Sequence, residues 1–462
     1  MVDEFDAIVI GTGQAGPPLA GRLTGAGKRV AVVERGRFGG TCVNYGCIPT
    51  KTLVASARAA RFAQRAAEFG VVLEAAPRVD MKRVKARKDE VVRASNAGVE
   101  KWLRSMKGCV VFDGHARLTG PDAVRVGGGE LRARQIFLNV GTRPFVPPLG
   151  GVEEVPFLTN TDMMEVDFLP QHLIVVGGSY VGLEFAQMYR RFGSEVTIVE
   201  RAEHLVARED AAVSAALREI LEAEGIAVRT GAECIALERS GDGVRIRLDC
   251  ADSAREALGS HVLLAVGRKP NTDQLGLDAA GVEADERGYV RVDERLRTNV
   301  PGIWALGDCN GRGAFTHTSY NDFEIVAANL LDGDPRKVSD RIPCYALFTD
   351  PPLARAGMND AEARASGRRV LVGHRRMRDV GRAREMSETQ GFMRFLVDAD
   401  TREILGATIL GVGGDEVIHS VLDVMYARAP YTVIQRAVHI HPTVSELVPT
   451  TLGKLEPLSN GG

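Results

Sequence analysis

The chain has 462 residues, more than one hydrophobic core accommodates and enough for roughly three or four domains. Its 58 Lys and Arg nearly cancel 60 Asp and Glu, and a net charge of -2 supports neither nucleic-acid nor membrane-surface binding. The 45% hydrophobic content is that of a soluble globular protein, no apolar run approaches the ~20 residues of a membrane helix, and the acidic start Met1-Val2-Asp3-Glu4-Phe5-Asp6 is no secretory signal.

Residues 5–10 read as a buried strand, Gly11-Thr12-Gly13-Gln14-Ala15-Gly16 as the turn after it, and a helix runs on to about Ala26. A second strand at 29–33 ends at Glu34. Strand, glycine turn, helix, strand and acid stand in the order a dinucleotide needs. The glycines let backbone approach a pyrophosphate, the helix N-terminus holds it, and the acid bonds a ribose. Pro17 and Pro18 suit a first helical turn, which has no backbone donors to lose.

Next comes Gly39-Gly40-Thr41-Cys42-Val43-Asn44-Tyr45-Gly46-Cys47-Ile48-Pro49-Thr50-Lys51, with two cysteines five positions apart. So close a pair can form a disulfide that opens and closes easily. Pro49 predicts a helix start there, which places Cys47 near a dipole end that favours thiolate. Half of a zinc site and two unrelated buried thiols are the alternatives, and zinc would need two further ligands nearby. Seven cysteines, odd in number and mostly scattered, predict a reducing, cytoplasmic compartment with one dedicated pair. Cys109, Cys234, Cys250, Cys309 and Cys344 read as ordinary thiols.

A second nucleotide unit begins with the strand 173–176 and the turn Gly177-Gly178-Ser179-Tyr180-Val181-Gly182. A helix through Glu184 and Tyr189 comes next, then a strand at 195–199 that ends at Glu200. Ser179 stands where the middle glycine of such a turn usually lies. Glu200 favours a free ribose 2′-hydroxyl, hence NADH over NADPH, although Arg201 and Arg208 are near in sequence. Two such units imply two nucleotides with electrons passing between them. Further on, the segment 298–308 ends in Gly307-Asp308, and the chain closes on His439-Ile440-His441-Pro442-Thr443-Val444-Ser445-Glu446. An imidazole with a carboxylate on its far nitrogen has a fixed tautomer and a stabilised cation, the character of an acid/base.

Taken in this order, the motifs resemble those of the FAD-dependent pyridine nucleotide–disulfide oxidoreductases of class I, over essentially the whole chain. The resemblance leans to the mercuric-reductase-like branch through Cys47-Ile48-Pro49-Thr50-Lys51, Ser179 and Phe348-Thr349-Asp350-Pro351-Pro352, and extends to dihydrolipoamide dehydrogenase and glutathione reductase. It implies an α/β fold with two Rossmann-like dinucleotide-binding domains, for FAD and NAD(P), plus a C-terminal α+β dimerisation domain. The implied divisions are 1–148 and 271–340 for FAD, 149–270 for the nicotinamide nucleotide and 341–462 for dimerisation. Val140-Gly141-Thr142-Arg143-Pro144 and Ala265-Val266-Gly267-Arg268-Lys269-Pro270 resemble the crossings between them.

The resemblance also implies roles. Gly11, Gly13, Gly16, Glu34, Thr41, Lys51, Gly114, Ala116, Gly141, Thr142 and Asp308 are expected at FAD, with Asp308 on the ribityl chain. Gly177, Ser179, Tyr180, Gly182, Glu200 and Gly267 are expected at NADH or NADPH, with Tyr180 as an aromatic gate. Cys47 is the thiolate facing the flavin and Cys42 the exposed thiol that exchanges with substrate. Lys51 pairs with Glu184 beside the flavin, and His441, oriented by Glu446, serves the cysteines of the partner subunit. The implied protein is a cytoplasmic homodimer with shared active sites and a small-molecule substrate. It passes electrons from NAD(P)H through FAD to Cys42 and Cys47, and on to a disulfide or thiol-reactive compound. Residues 458–462 carry no cysteine pair and no metal-binding domain precedes the first unit, which argues against mercury detoxification. The alternative is a dihydrolipoamide dehydrogenase docked in a multienzyme complex.

Overall fold

The computed structural model describes residues 2–249 and 256–459. Cys250 and positions 460–462 lie outside the described residues, as does the Cys234 side chain.

The first sheet is seven-stranded and grows from its most buried strand. β1 (Val2–Ile10) lies parallel to both β2 (Val30–Glu34) and β6 (Gly129–Leu138), and its last four residues are buried without alternation. Continuous burial is what a central parallel strand requires. β3 (Cys109–Asp113) extends the sheet beyond β2, and β16 (Ile303–Ala305) joins β6 in parallel. β5 (Ala123–Val126) and β4 (Ala116–Gly120) add an antiparallel edge. α1 (Gly16–Gly25) carries Pro17 and Pro18 in its first turn, as the sequence predicts, and buries Leu19 and Leu23 against the sheet. α2 (Gly40–Asn44), α3 (Cys47–Gln64) and α4 (Met81–Ser105) come between β2 and β3 in the chain. The short α7 (Leu277–Ala280) adds Leu277 and Ala280 to the core on one face of this sheet.

The second unit is built on a parallel sheet in the order β10 (Ala227–Arg229), β9 (Glu195–Val199), β8 (His172–Val176), β14 (His261–Leu264). α5 (Tyr180–Phe192) and α6 (Ala211–Ala223) bury Leu183, Phe185, Leu217 and Ile220 in its core. A three-stranded antiparallel sheet of β11 (Glu233–Ser240), β12 (Gly243–Asp249) and β13 (Glu256–Gly259) packs on the other side. The chain enters and leaves this unit through β7 (Thr142–Pro144) and β15 (Arg268–Pro270), which pair antiparallel.

The last unit is a six-stranded antiparallel sheet in which β17 (Cys344–Leu347) and β18 (Leu353–Gly357) form one edge and β19 (Val370–Arg376), β20 (Phe392–Asp398), β21 (Ile404–Leu410) and β22 (Glu456–Pro457) the remainder. The helix Gly414–Tyr426 packs on it through Val417, Ile418 and Val421. α8 (Thr316–Ala327) leads towards this unit from the first sheet. The fold is therefore the mixed α/β architecture that the motifs predict. Among the described residues, no helix is long and apolar enough to cross a membrane.

Candidate active site

The redox segment lies directly on the first glycine turn: a Cβ on Gly40 would stand 2.8 Å from Gly13 Cα. Asn44 fastens the stretch that carries Cys42. Its side-chain amide donates to Phe38 O at 2.8 Å and Gly40 O at 2.9 Å, and its oxygen accepts from Asn96 Nδ2 at 3.1 Å. Cys42 lies on α2 and Cys47 opens α3, where free backbone N–H groups favour negative charge. The Thr316 hydroxyl, at the start of α8, lies 3.0 Å from Cys47 Sγ. The hydrogen bond with Cys42, the Thr316 hydroxyl and the Lys51 charge together push the Cys47 thiol down to about 6, against the effects of burial and Glu184. Cys42 moves the opposite way: its bond to Cys47, burial and the charge on Cys47 push its thiol up. The pair therefore holds one proton on Cys42 and one charge on Cys47. Cys42 is half-buried, as Cys47 is.

One turn along α3, Lys51 Nζ donates to Glu184 Oε1 at 2.8 Å and Oε2 at 2.7 Å. The Phe348 backbone N–H donates to the same carboxylate at 2.9 Å, and Lys51 Nζ stands 4.6 Å from the Phe348 ring centroid. The pair thus ties α3 to α5 under a strand end from the last unit.

Both nucleotide turns are as tight as their glycines require. Gly11 has φ +99°, and a Cβ there would collide with Asn139 O. Asn139 Nδ2 also donates to Gly11 O at 3.3 Å and Gly13 O at 3.2 Å, while Gly16 approaches Gly11 O too closely for a side chain. Glu34 Oε2 accepts from Thr12 N at 2.9 Å and Thr12 Oγ1 at 2.6 Å, and Oε1 accepts from Gly36 N at 2.9 Å. Gly114 N donates to Glu34 O at 2.7 Å, Ala116 opens β4, and Thr41 sits on α2. In the second unit Gly177 has φ +115°, and a Cβ there would meet Ala265 O. Gly182 closes on Gly177 O, and Ser179 occupies the N-cap of α5 without a side-chain cap bond. Glu200 accepts from Gly178 N at 2.6 Å and Ala202 N at 2.7 Å, whereas Arg201 and Arg208 are exposed.

The crossing strands converge on Asp308. Arg268 Nε donates to Thr142 Oγ1 at 2.7 Å, and Thr142 Oγ1 donates to Asp308 Oδ2 at 2.8 Å. Burial pushes the Asp308 carboxyl up, and Thr142 and Arg268 only partly offset it. Gly141 O accepts from Asn271 N at 3.0 Å and Gly267 O from Phe145 N at 3.0 Å, which fastens both crossings. Tyr180 opens α5, half-buried beside Phe315 and Tyr345. At the other end of the chain, Glu446 Oε2 lies 2.9 Å from His441 Nδ1. The imidazole is 79% exposed and makes no hydrogen bond to Cys42 or Cys47 of its own chain among the described residues. No cluster of three or more His, Cys, Asp or Glu suited to a metal ion occurs among the described residues.

The sequence model described as "Pyridine nucleotide-disulphide oxidoreductase" matches residues 5–322, and that of the family's dimerisation domain matches residues 344–452. The chain belongs to this family. It is similar to the probable pyridine nucleotide-disulfide oxidoreductase RclA of Escherichia coli (strain K12), at 36% identity over 96% of this chain and 98% of that one. It is also similar to the dihydrolipoyl dehydrogenase of Thermus scotoductus, at 35% over 96% and 95%, and to the mercuric reductase of Streptomyces lividans, at 33% over 96% and 94%. The solved Cu(II) complex of the HOCl-induced flavoprotein disulfide reductase RclA from Escherichia coli superposes with TM-score 0.89 at 35% identity, covering 98% of this chain and 99% of that one.

Pyridine nucleotide–disulfide oxidoreductases use FAD and NAD(P)H. The residues present fit both. Two turns leave no space for side chains beside the backbone, each with a helix start and an anchored acid after it. Asp308 is a carboxyl pushed up by burial, with Thr142 and Arg268 only partly offsetting it, and it can accept from ligand hydroxyls. Sequence reasoning missed Thr316, Asn139 and Arg268. Thr316 meets Cys47 across 269 positions of chain, and no local pattern marks it.

Proposed function

We propose that the chain is a flavoprotein disulfide oxidoreductase that takes reducing equivalents from a nicotinamide nucleotide and delivers them, at Cys42 and Cys47, to a disulfide or thiol-reactive substrate. The observation that carries this reading is the placement of the two cysteines, Cys42 on α2 and Cys47 at the start of α3, with the Thr316 hydroxyl 3.0 Å from Cys47 Sγ and Lys51 one turn further on. When bound, the flavin supplies two-electron transfer between the nicotinamide hydride and the cysteine pair. Gly11, Gly13 and Gly16 would hold its pyrophosphate, Glu34 the adenosine ribose and Asp308 the hydroxylated chain. Thr41, Gly114, Ala116, Gly141 and Thr142 would complete that cradle. Gly177, Ser179, Gly182, Glu200 and Gly267 would hold the nicotinamide nucleotide, with Tyr180 over its approach. The paired crossings β7 and β15 support divisions of the chain near 148 and 270, and the opening of the last sheet at β17 supports one near 340.

In the reduced pair, Cys42 loses its proton to the partner subunit's His441 and its sulfur attacks a substrate disulfide, releasing one thiolate and forming a mixed disulfide. The Cys47 thiolate then attacks Cys42 sulfur, the Cys42–Cys47 disulfide closes, and the second substrate thiolate leaves with the proton returned by the partner subunit's His441. Glu446 holds that ring through Nδ1 and leaves Nε2 to carry the proton. Lys51, fixed by Glu184, keeps a positive charge beside Cys47. The site is then complete only in a homodimer, in keeping with the match to the dimerisation domain. The scattered cysteines suit a reducing, cytoplasmic setting.

The relatives named for HOCl induction, Cu(II) and mercury support a thiol oxidant or thiophilic metal ion as the substrate class. A second reading, dihydrolipoamide dehydrogenase, is favoured by the similarity to the Thermus scotoductus enzyme together with the His441–Glu446 pair. The test is kcat/KM of the holoenzyme for lipoamide, glutathione disulfide, Hg(II), Cu(II) and hypothiocyanite. The first reading expects a metal ion or thiol oxidant to lead. A lead for lipoamide selects the second, and no turnover of any compound by folded, flavin-loaded protein contradicts both.

A further inference from the structure

Behind Tyr180 lies a buried polar anchor that no nucleotide or cysteine motif accounts for. Glu209, in the loop before α6, has a side chain with 0% exposure. Its Oε2 accepts from Arg355 Nε on β18 at 2.7 Å, and Arg355 Nη2 donates in turn to Asp210 Oδ2 at 2.6 Å. The carboxylate is thus fixed from behind. Its other oxygen, Oε1, accepts two phenols: Tyr345 of β17 at 2.5 Å and Tyr180 at 3.2 Å.

These two bonds are unequal. An O–H···O bond of good strength spans about 2.5–3.0 Å, so the Tyr345 bond is firm and the Tyr180 bond is at the weak end. The rings repeat the pattern. Phe315 and Tyr345 stack at 5.4 Å with 8° between planes and make a flat wall, while Tyr180 meets them obliquely, at 63° to Phe315 and 60° to Tyr345. Tyr180 is also the first residue of α5, so its backbone is set and only its side chain is free to turn. Burial first, then the Glu209 charge, pushes both phenols up, so both remain protonated donors near neutrality.

We infer that Glu209 is a positioning residue for Tyr180, holding the phenol through an oxygen it shares with Tyr345 so that the ring is tethered across the nicotinamide's approach yet released when that ring arrives. The inference rests on the reading of Tyr180 as the residue over that approach. Tyr345 sets the strength of the tether: by taking the better share of Oε1 it keeps the Tyr180 bond long. Arg355 and Asp210 keep the anchor from moving with the ring.

The test is the Kd of NAD+ on the holoenzyme by calorimetry, beside KM and kcat for NADH, with thermal melting to confirm folding. Tyr180→Phe removes the tether, and NAD+ should bind about fivefold tighter, the worth of one modest hydrogen bond, with KM for NADH falling. Tyr345→Phe gives Oε1 wholly to Tyr180 and should weaken NAD+ by a similar factor. In the double variant the Tyr345 effect should vanish, leaving the Tyr180→Phe value. Glu209→Gln, which keeps the shape of the anchor, should act in the direction of Tyr180→Phe. A Tyr345→Phe effect that persists without the Tyr180 hydroxyl overturns the inference, as does an unchanged Kd in Tyr180→Phe when Tyr180→Ala alters it. If Tyr180→Ala leaves both Kd and KM unchanged, Tyr180 does not face the nicotinamide, and the underlying reading falls instead.

Discussion

Cys47 is the residue on which the proposed chemistry turns, and three groups push its thiol down: Cys42 by hydrogen bond, Thr316 by hydroxyl and Lys51 by charge. Its thiol is pushed below the ordinary value, so the thiolate is present above about pH 6 and is lost as pH falls through that value. Iodoacetamide inactivation of the reduced protein should track this inflection, whereas an unperturbed thiol would show one near pH ~8.5. Thr316→Val should move the inflection up by about one pH unit, the worth of a hydrogen bond to a charged sulfur. An unmoved inflection would show that the hydroxyl contributes nothing. Glu200 is the second residue whose effect can be measured. With both oxygens held by Gly178 N and Ala202 N, its carboxylate stands fixed at the end of β9. Glu200→Arg should turn a preference for NADH of about tenfold towards NADPH, read as a kcat/KM ratio. Equal efficiency with NADPH in the unmodified protein would mean that Arg201 and Arg208 outweigh the acid. The sequence makes Cys47, Lys51 and Glu200 legible because a turn or a helix start dictates each. Thr316 and Glu209 are not legible, since their partners come from elements hundreds of positions away or from another sheet.

At the scale of elements, α5 connects the two halves of the site. Its first residue is Tyr180, Glu184 reaches Lys51 on α3, and Arg191 near its end joins α6 to the loop that opens β18. Arg191 donates to Glu224 at 2.7 Å and Asp350 at 2.5 Å, and all three side chains are under a tenth exposed. Arg191→Met would leave two buried carboxylates uncompensated and should cost about 3–5 kcal/mol, read as a lower urea midpoint. A loss below ~1 kcal/mol would show that water or Arg58, whose Nε lies 3.8 Å from Asp350 Oδ2, takes over. The strands and glycine turns of both nucleotide units were legible, because continuous burial and tight turns leave the sequence little choice. The half-burial of Cys42 was not: it lies on the five-residue α2, whose Asn44 meets Asn96 across 52 positions. The Arg191 network was equally hidden, since an arginine on a helix reads as solvated until its partners are seen.

At the scale of the molecule, the cysteines and the His441–Glu446 pair lie at opposite ends of the chain, and His441 is exposed with no bond to either sulfur of its own chain among the described residues. Two subunits related by a two-fold axis would each lend the other a histidine. Mixing inactive Cys42→Ser with inactive His441→Ala subunits should then restore about a quarter of normal activity, because half of randomly formed dimers are mixed and each holds one intact site. No recovery after proven exchange would place the base in cis or remove His441 from the reaction. The order of motifs along the chain is what suggests this division of labour, while the substrate stays hidden because the same pair and the same dyad serve several oxidants. The most direct measurement is a count of thiols formed when the oxidised holoenzyme is reduced anaerobically with one equivalent of NADH, mapped by alkylation and mass spectrometry. Two new thiols per chain should appear, at Cys42 and Cys47 and nowhere else. New thiols elsewhere, or none with the flavin reduced, would contradict the assignment of this pair as the place where the electrons arrive.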